Sequence, residues 1–235
     1  MFYLIGLGLN EKSLSLEAIE ALKKCKKIYF EAYTIEMPFS IEEVEEIIGK
    51  RIISLTRLMV ENEKFIEEGK HQDIALLVYG SPLIATTHIS LILKCKKENI
   101  KYKVIHNASI LDAISESGLQ IYKFGKTASM PKWNEKYKPD SFIDIIKENK
   151  KINAHTLILV DIELTFHDAL KQLEQACKGK VKLEKIVICS KLGTDENRIL
   201  YDEVENLYQE EVYAPFCIVI PGKLHFIEEE ALGKL

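Results

Sequence analysis

Asp73-Ile-Ala-Leu-Leu-Val-Tyr-Gly-Ser-Pro-Leu-Ile-Ala-Thr-Thr-His88 is the stretch on which the reading of the fold depends. Ile74 to Tyr79 is too short an apolar run for a helix and stops at a Gly-Ser-Pro breaker. That combination predicts a buried parallel strand followed by a turn and the start of a helix. Ligands of open α/β sheets bind outside the carboxyl ends of the strands, where Gly80 to His88 is expected to lie. Gly80 lets a ligand approach the backbone. Ser81, Thr86, Thr87 and His88 bring polar side chains to the same corner. An ordinary strand-to-helix turn with a capping hydroxyl uses the same residue types.

Outward from this stretch, strands alternate with helices. Phe2 to Ile5 reads as a strand running into Gly6-Leu-Gly-Leu9, and Ser15 to Cys25 as a helix. Ile28 to Tyr33 is a strand. Ser40 starts a helix that Gly49 ends. Arg51 to Leu55 is a short strand, Leu58 to Gly69 an amphipathic helix, and 102–106 a strand. Ser109 caps Ile110 to Ser117. From Leu119 the pattern restarts: a strand at Gln120 to Phe124, an irregular stretch from Thr127 to Pro139, and a helix from Asp140 to Asn149. Then come strands at Thr156 to Ile162, Lys185 to Ser190, Arg198 to Tyr201 and Pro215 to Ile220, with helices at His167 to Cys177 and Leu224 to Leu235. The alternation predicts an α/β fold with mainly parallel sheets, divided into domains at 1–118 and 119–235.

Composition narrows the function. The 235 residues are 47% hydrophobic with net charge −4 and pI ≈ 5.9, which argues against a broad nucleic-acid surface. No apolar run approaches the roughly 20 residues of a membrane helix, and the apolar N-terminus lacks the basic flank of a signal peptide. A cytoplasmic protein is expected. The five cysteines, Cys25, Cys95, Cys177, Cys189 and Cys217, are scattered through apolar segments, as buried thiols are. The charge runs Lys23-Lys24, Lys26-Lys27, Glu42 to Glu46 and Glu228 to Glu230 read as solvated faces.

The single motifs are weak. Gly6-Leu-Gly-Leu-Asn lacks the third glycine of the dinucleotide fingerprint, and there is no Walker lysine. The six histidines have no metal-ligand spacing, so no metal is expected. His106 and His155 fall in strands, where a histidine usually has a structural partner. His225 follows Pro221-Gly-Lys-Leu at a strand-to-helix junction, a better place for a ligand. Asp161 either caps the next helix or lines a cleft.

Taken in order, the pieces form a pattern. Ile5-Gly-Leu-Gly-Leu9, Gly80-Ser-Pro-Leu-Ile-Ala-Thr-Thr-His88, Val104-Ile-His-Asn-Ala-Ser-Ile110, Gly118-Leu-Gln-Ile-Tyr-Lys-Phe-Gly-Lys126, Ser141 to Asn149, His155 to Ile162 and Pro221-Gly-Lys-Leu-His225 cover most of the chain. They resemble the diphthine synthase subgroup of the tetrapyrrole methylase-like methyltransferases. The resemblance implies two α/β domains with S-adenosylmethionine in the cleft between them, S-adenosylhomocysteine as product, and a homodimer. It implies translation elongation factor 2 as substrate, methylated on the amine of an aminocarboxypropyl-modified histidine. It places cofactor contacts on Leu9, Ser81, Ile84, Ser109, Ile110, Val160, Tyr201 and His225. The family usually has Asp where this chain has Ser81. Thr86, Thr87, His88 and Tyr122 are candidate proton acceptors, and none is assigned as the base. Three alternatives stay open: a eukaryotic-type enzyme that adds a fourth methyl as an ester, a degenerate member that binds without catalysis, and a methylase of a small tetrapyrrole.

Overall fold

A computed structural model describes residues Met1–Lys234. The chain divides into two compact units, Met1–Ile110 and Leu111–Leu235.

The first unit is built on five strands: β1 (Phe2–Gly6), β2 (Lys27–Glu31), β3 (Ile53–Leu55), β4 (Ile74–Val78) and β5 (Tyr102–Ile105), in the order β3-β2-β4-β1-β5. Every pairing is parallel. The central strands are apolar on both faces. Tyr3, Ile5, Phe30, Ala75 and Leu77 face helices α1 (Leu16–Lys24) and α2 (Ile41–Ile48). Phe2, Leu4, Tyr29, Leu76 and Val78 face α3 (Arg57–Glu61) and α4 (Ile89–Lys97). The two layers follow from right-handed crossovers. Connections that step one way along the sheet (β1 to β2, β2 to β3) lie on one face, and those that step back (β3 to β4, β4 to β5) lie on the other. The direction reverses between β1 and β4, so the ligand crevice belongs at their carboxyl ends. Ser40 and Glu43 form a capping box at the start of α2, and Gly49 ends it at φ 66°.

The helix expected over Leu58 to Gly69 is instead α3 followed by a 3₁₀ helix, Lys64–Lys70. Asn62 breaks it: its Oδ1 accepts from Lys64 N at 3.0 Å, and Glu63 takes φ 56°. The helix expected after Ser109 is one short turn, α5 (Ile110–Ala113), followed by 3₁₀ at Ile114–Ser117.

The second unit carries β6 (Ala128–Met130), β7 (Thr156–Val160), β8 (Lys185–Ser190), β9 (Arg198–Glu203) and β10 (Phe216–Ile220), in the order β6-β7-β10-β8-β9. Only β6 and β7 are parallel, so this sheet is mainly antiparallel, against expectation. Both β7–β10 and β8–β9 run antiparallel, an orientation that strand spacing in sequence does not encode. Ile158, Ile186, Ile188 and Ile218 pack against α6 (Ser141–Lys151) and α7 (Phe166–Cys177). Leu157, Val187, Cys217 and Val219, on the other face, are equally buried. A four-residue helix, α8 (Val204–Leu207), follows β9, and α9 (Phe226–Leu232) closes the described chain; Leu235, the last residue of the expected helix, lies outside it.

Two more expectations need correction. The irregular Thr127–Pro139 stretch contains β6, an edge strand too short to show a period. Gln120 to Phe124 is not a strand but a 3₁₀ turn at Ile121–Lys123, closed by Lys123 N→Gln120 O at 2.9 Å and Phe124 N→Ile121 O at 3.1 Å. Its alternating side chains imitate a strand, yet only Phe124 bridges to a neighbour, His155.

Candidate functional site

The carboxyl ends of β1, β4 and β5 meet at one corner. Gly8 and Gly80 bridge across it, with Gly8 N→Gly80 O at 3.1 Å and Gly80 N→Gly8 O at 2.9 Å. Both have positive φ, 78° and 70°, which glycine adopts without strain. Gly6 is set by contact rather than by φ, because a Cβ there would lie 2.5 Å from Gly80 O. Asn107, two residues past β5, donates from Nδ2 to Gly6 O at 3.0 Å and Ser13 O at 2.9 Å. Tyr79 OH reaches Leu9 O at 3.4 Å. The loops after three strands are thus tied together by backbone and amide hydrogen bonds.

Five of the expected contact residues collect here. Leu9, Ser81 and Ser109 are buried, Ile84 and Ile110 half-buried. Gly80 lies beside Ser109, whose Cα would be 3.8 Å from a Cβ at Gly80. The Ser81 Oγ makes no hydrogen bond among the described residues, although the residue is only 6% exposed. A hydroxyl left without a protein partner on a largely buried residue suits the polar part of a ligand.

The loop carrying Ser81 and Ile84 is held from below. Pro82 O accepts from Thr86 Oγ1 at 2.9 Å and lies 3.1 Å from His88 Nδ1. The His88 Nε2 is 2.7 Å from Glu31 Oε2, and both side chains are buried. Thr34 Oγ1 donates to the other Glu31 oxygen. Burial alone disfavours a charged imidazole. The hydrogen bond to Glu31, its charge and the Pro82 carbonyl outweigh that and raise the His88 pKa above its usual value. With Glu31 at one ring nitrogen and the Pro82 carbonyl at the other, His88 has no nitrogen left to face a substrate amine. That removes it as a proton acceptor. Thr87 is exposed. The Tyr122 hydroxyl donates to Gln120 Oε1 at 2.6 Å.

In the second unit the expected contacts do not form one cluster. Val160 ends β7, Tyr201 lies within edge strand β9, and His225 follows β10. Register pairs Thr156 with Ile220, so Val160 and His225 lie at opposite ends of the sheet. Tyr201 lines a groove of about 710 Å³ with Lys185, Pro221, Gly222, Leu224 and Glu229. His225 is the N-cap of α9; its Nδ1 accepts from Ile227 N at 3.4 Å and its backbone N donates to Glu228 Oε2 at 2.7 Å. An Nδ1 used as acceptor puts the hydrogen of the neutral ring on Nε2, directed away from the cap. Asp161 does not cap α7, a role taken by Thr165; it accepts from Glu163 N at 3.0 Å and Lys132 N at 3.2 Å. Glu228 is also not part of a solvated run, being fully buried.

Residues 1–208 match the profile of the family described as Tetrapyrrole (Corrin/Porphyrin) Methylases. The chain belongs to the tetrapyrrole methylase family. Among curated relatives, the diphthine synthase of Methanocaldococcus jannaschii is 39% identical over 253 residues, covering 100% of this chain and 98% of that protein. The diphthine methyl ester synthase of Schizosaccharomyces pombe is 46% identical over 167 residues, covering 70% of this chain and 59% of that protein. A crystal structure of a putative diphthine synthase from Entamoeba histolytica aligns with TM-score 0.91 at 34% identity, covering 100% of this chain and 97% of that one. A tetrapyrrole methylase is a methyltransferase, and this member has two five-stranded sheets, one in each unit. All five cysteines are free and buried. No His, Cys, Asp and Glu cluster fit to hold a metal occurs among the described residues, and no described helix is long and apolar enough to cross a membrane.

Sequence reasoning missed Glu31 and Glu228. A carboxylate ending the apolar run Ile28-Tyr-Phe-Glu31 at a strand's carboxyl end was the available signal for the first. Glu228, three residues after His225, has the spacing of a capping box.

Proposed function

We propose that the chain is a diphthine synthase: an S-adenosylmethionine-dependent enzyme that methylates, in successive transfers, the amine of the aminocarboxypropyl-modified histidine of translation elongation factor 2. The observation that carries the reading is the Gly8–Gly80 corner, with Ser81 largely buried next to it and its hydroxyl without a protein partner, in a chain matched end to end by diphthine synthases.

S-adenosylmethionine, when bound, supplies an electrophilic methyl on a sulfonium. We assign its contacts to Leu9, Ser81, Ile84, Ser109 and Ile110 in the first unit and to Val160, Tyr201 and His225 in the second, with domains 1–118 and 119–235. The Gly8–Gly80 bridge fixes the loops after β1 and β4 that carry Leu9, Ser81 and Ile84. Displacement at a methyl needs alignment and a neutral amine rather than a nucleophilic side chain. The reading extends to a homodimer acting in the cytoplasm.

The test is mass spectrometry of elongation factor 2 carrying the aminocarboxypropyl intermediate, after incubation with the protein and S-adenosylmethionine. A gain of three methyl groups supports diphthine synthesis. A fourth favours the ester-forming reading, which the match to the Schizosaccharomyces pombe methyl ester synthase supports. No gain overturns the assignment of substrate.

A further inference from the structure

The loop from Pro221 to His225 is held at its backbone by one buried ionic network. Gly222 N donates to His155 Nδ1 at 2.9 Å. Lys223 O accepts from Lys123 Nζ at 2.8 Å. His225 N donates to Glu228 Oε2 at 2.7 Å. The same Glu228 carboxylate, fully buried, also accepts from Gln120 N at 2.9 Å, lies 3.0 Å from His155 Nε2 and pairs with Lys123 Nζ. The path admits little variation: a Cβ on Gly222 would lie 2.4 Å from Asn153 O and 2.6 Å from Ala154 O.

His155 must stay neutral for this arrangement. It accepts at Nδ1 and donates at Nε2, which a single tautomer satisfies and an imidazolium does not. Burial lowers its pKa, and the nearby Lys123 charge works in the same direction against the opposing pull of Glu228.

A buried ionic cluster is a weak source of stability, since apolar side chains of similar volume fill such space about as well. What this cluster fixes is the path of a short loop. The loop ends in an exposed His225 in an N-cap position that Ser, Thr, Asp or Asn usually fills. We propose that Glu228, Lys123 and His155 are positioning residues: they hold the loop so that His225 presents its Nε2–H as a fixed donor to the ligand. This rests on the assignment of His225 to the cofactor site. It also explains why Tyr122-Lys-Phe-Gly125, His155 and Pro221-Gly-Lys-Leu-His225, remote in sequence, occur together.

The experiment measures S-adenosylhomocysteine affinity by calorimetry, and thermal unfolding, for the wild type, Lys123→Met, His225→Ala and the double variant. Lys123→Met is milder than any change at Glu228, because its side chain is already 21% exposed. If Lys123 acts through His225, each single variant weakens binding about tenfold and the double variant loses no more than either. Affinity of Lys123→Met within twofold of wild type, or multiplied losses in the double variant, overturns the proposal. A second readout is pH. Wild-type affinity falls on the acid side as His155 gains a proton on Nδ1, facing Gly222 N–H; Glu228 and Lys123 are the charged groups that face His155. His155→Gln, an acceptor and donor that does not titrate, removes that limb; persistence of the limb counts against the proposal. If the wild type binds no S-adenosylhomocysteine, the cofactor assignment fails. Nitrogen-15 shifts of the His225 ring then still decide the positioning. A single Nε2–H tautomer that averages in Lys123→Met upholds it, and unchanged shifts overturn it.

Discussion

Gly8 and Gly80 exchange two backbone hydrogen bonds across the carboxyl edge of the first sheet, each from a left-handed conformation. Their tolerance to a methyl group differs. At Gly80 the nearest atom to a new Cβ is 3.7 Å away, so Gly80→Ala adds only the backbone cost of positive φ, about 1–2 kcal/mol. At Gly8 the same cost combines with a Cβ placed 2.4 Å from the Ser13 Cβ, and overpacking adds about 1–3 kcal/mol. Urea unfolding of both variants should show the larger loss for Gly8→Ala. Equal losses would mean that the Ser13 side moves away freely.

Ser81→Asp tests what charge does at this corner. A carboxylate next to a sulfonium attracts it more than it attracts a neutral thioether. Calorimetry should show the variant shifting preference severalfold toward S-adenosylmethionine over S-adenosylhomocysteine. Equal tightening of both ligands would assign the gain to hydrogen bonding. A loss for both would mean that the Ser81 hydroxyl is the group this site requires.

The Glu31–His88 pair gives an alkaline dependence. Its folded-state pKa is raised above the ordinary 6.5. The stabilisation is therefore complete below about pH 6.5 and is lost as pH rises through the folded value. Denaturation midpoints should decline for the wild type as pH rises above about 6.5. In Glu31→Gln the imidazole loses its counter-charge, and the decline should be absent. A parallel decline in the variant would assign it to other groups.

How much of this was legible in the sequence differs from residue to residue. The strand at Ile74 to Val78 and its Gly80–Ser81 corner were, because a short apolar run ended by Gly-Ser-Pro has few other solutions. So was α2, whose Ser40 and Gly49 mark both ends. The Gln120–Phe124 turn was not, because Gln120 N, which a strand would pair with a neighbouring strand, is bound instead by Glu228, 108 residues away. For the same reason Glu228 passed for a surface charge among Glu229 and Glu230. Local pattern carries burial when it repeats along an element, and it carries nothing about a partner supplied from far along the chain.

Glu228 provides the acid counterpart of His88. Burial pushes its carboxyl up, but Lys123, the backbone N–H groups of Gln120 and His225, and His155 pull it down to about 2. Its stabilisation is present above the usual 4.5 and is lost as pH falls through about 2. Trp133, the chain's one tryptophan, lies in the same unit and reports on it by fluorescence, its Nε1 held by Pro139 O at 2.8 Å. Acid titration should show a transition in the wild type that Glu228→Gln, less stable from the start, does not share. An identical profile in both would remove Glu228 from the account.

The Glu228 carboxylate also sets an order of events during synthesis. Lys123 and Gln120 are made more than 100 residues before the group that neutralises and caps them. A nascent chain that has completed β6 to β10 still lacks the carboxylate that Lys123 Nζ, His155 Nε2 and Gln120 N share. That set of bonds is complete only once residue 228 has been translated, and a messenger cut short before codon 228 encodes a second unit without it.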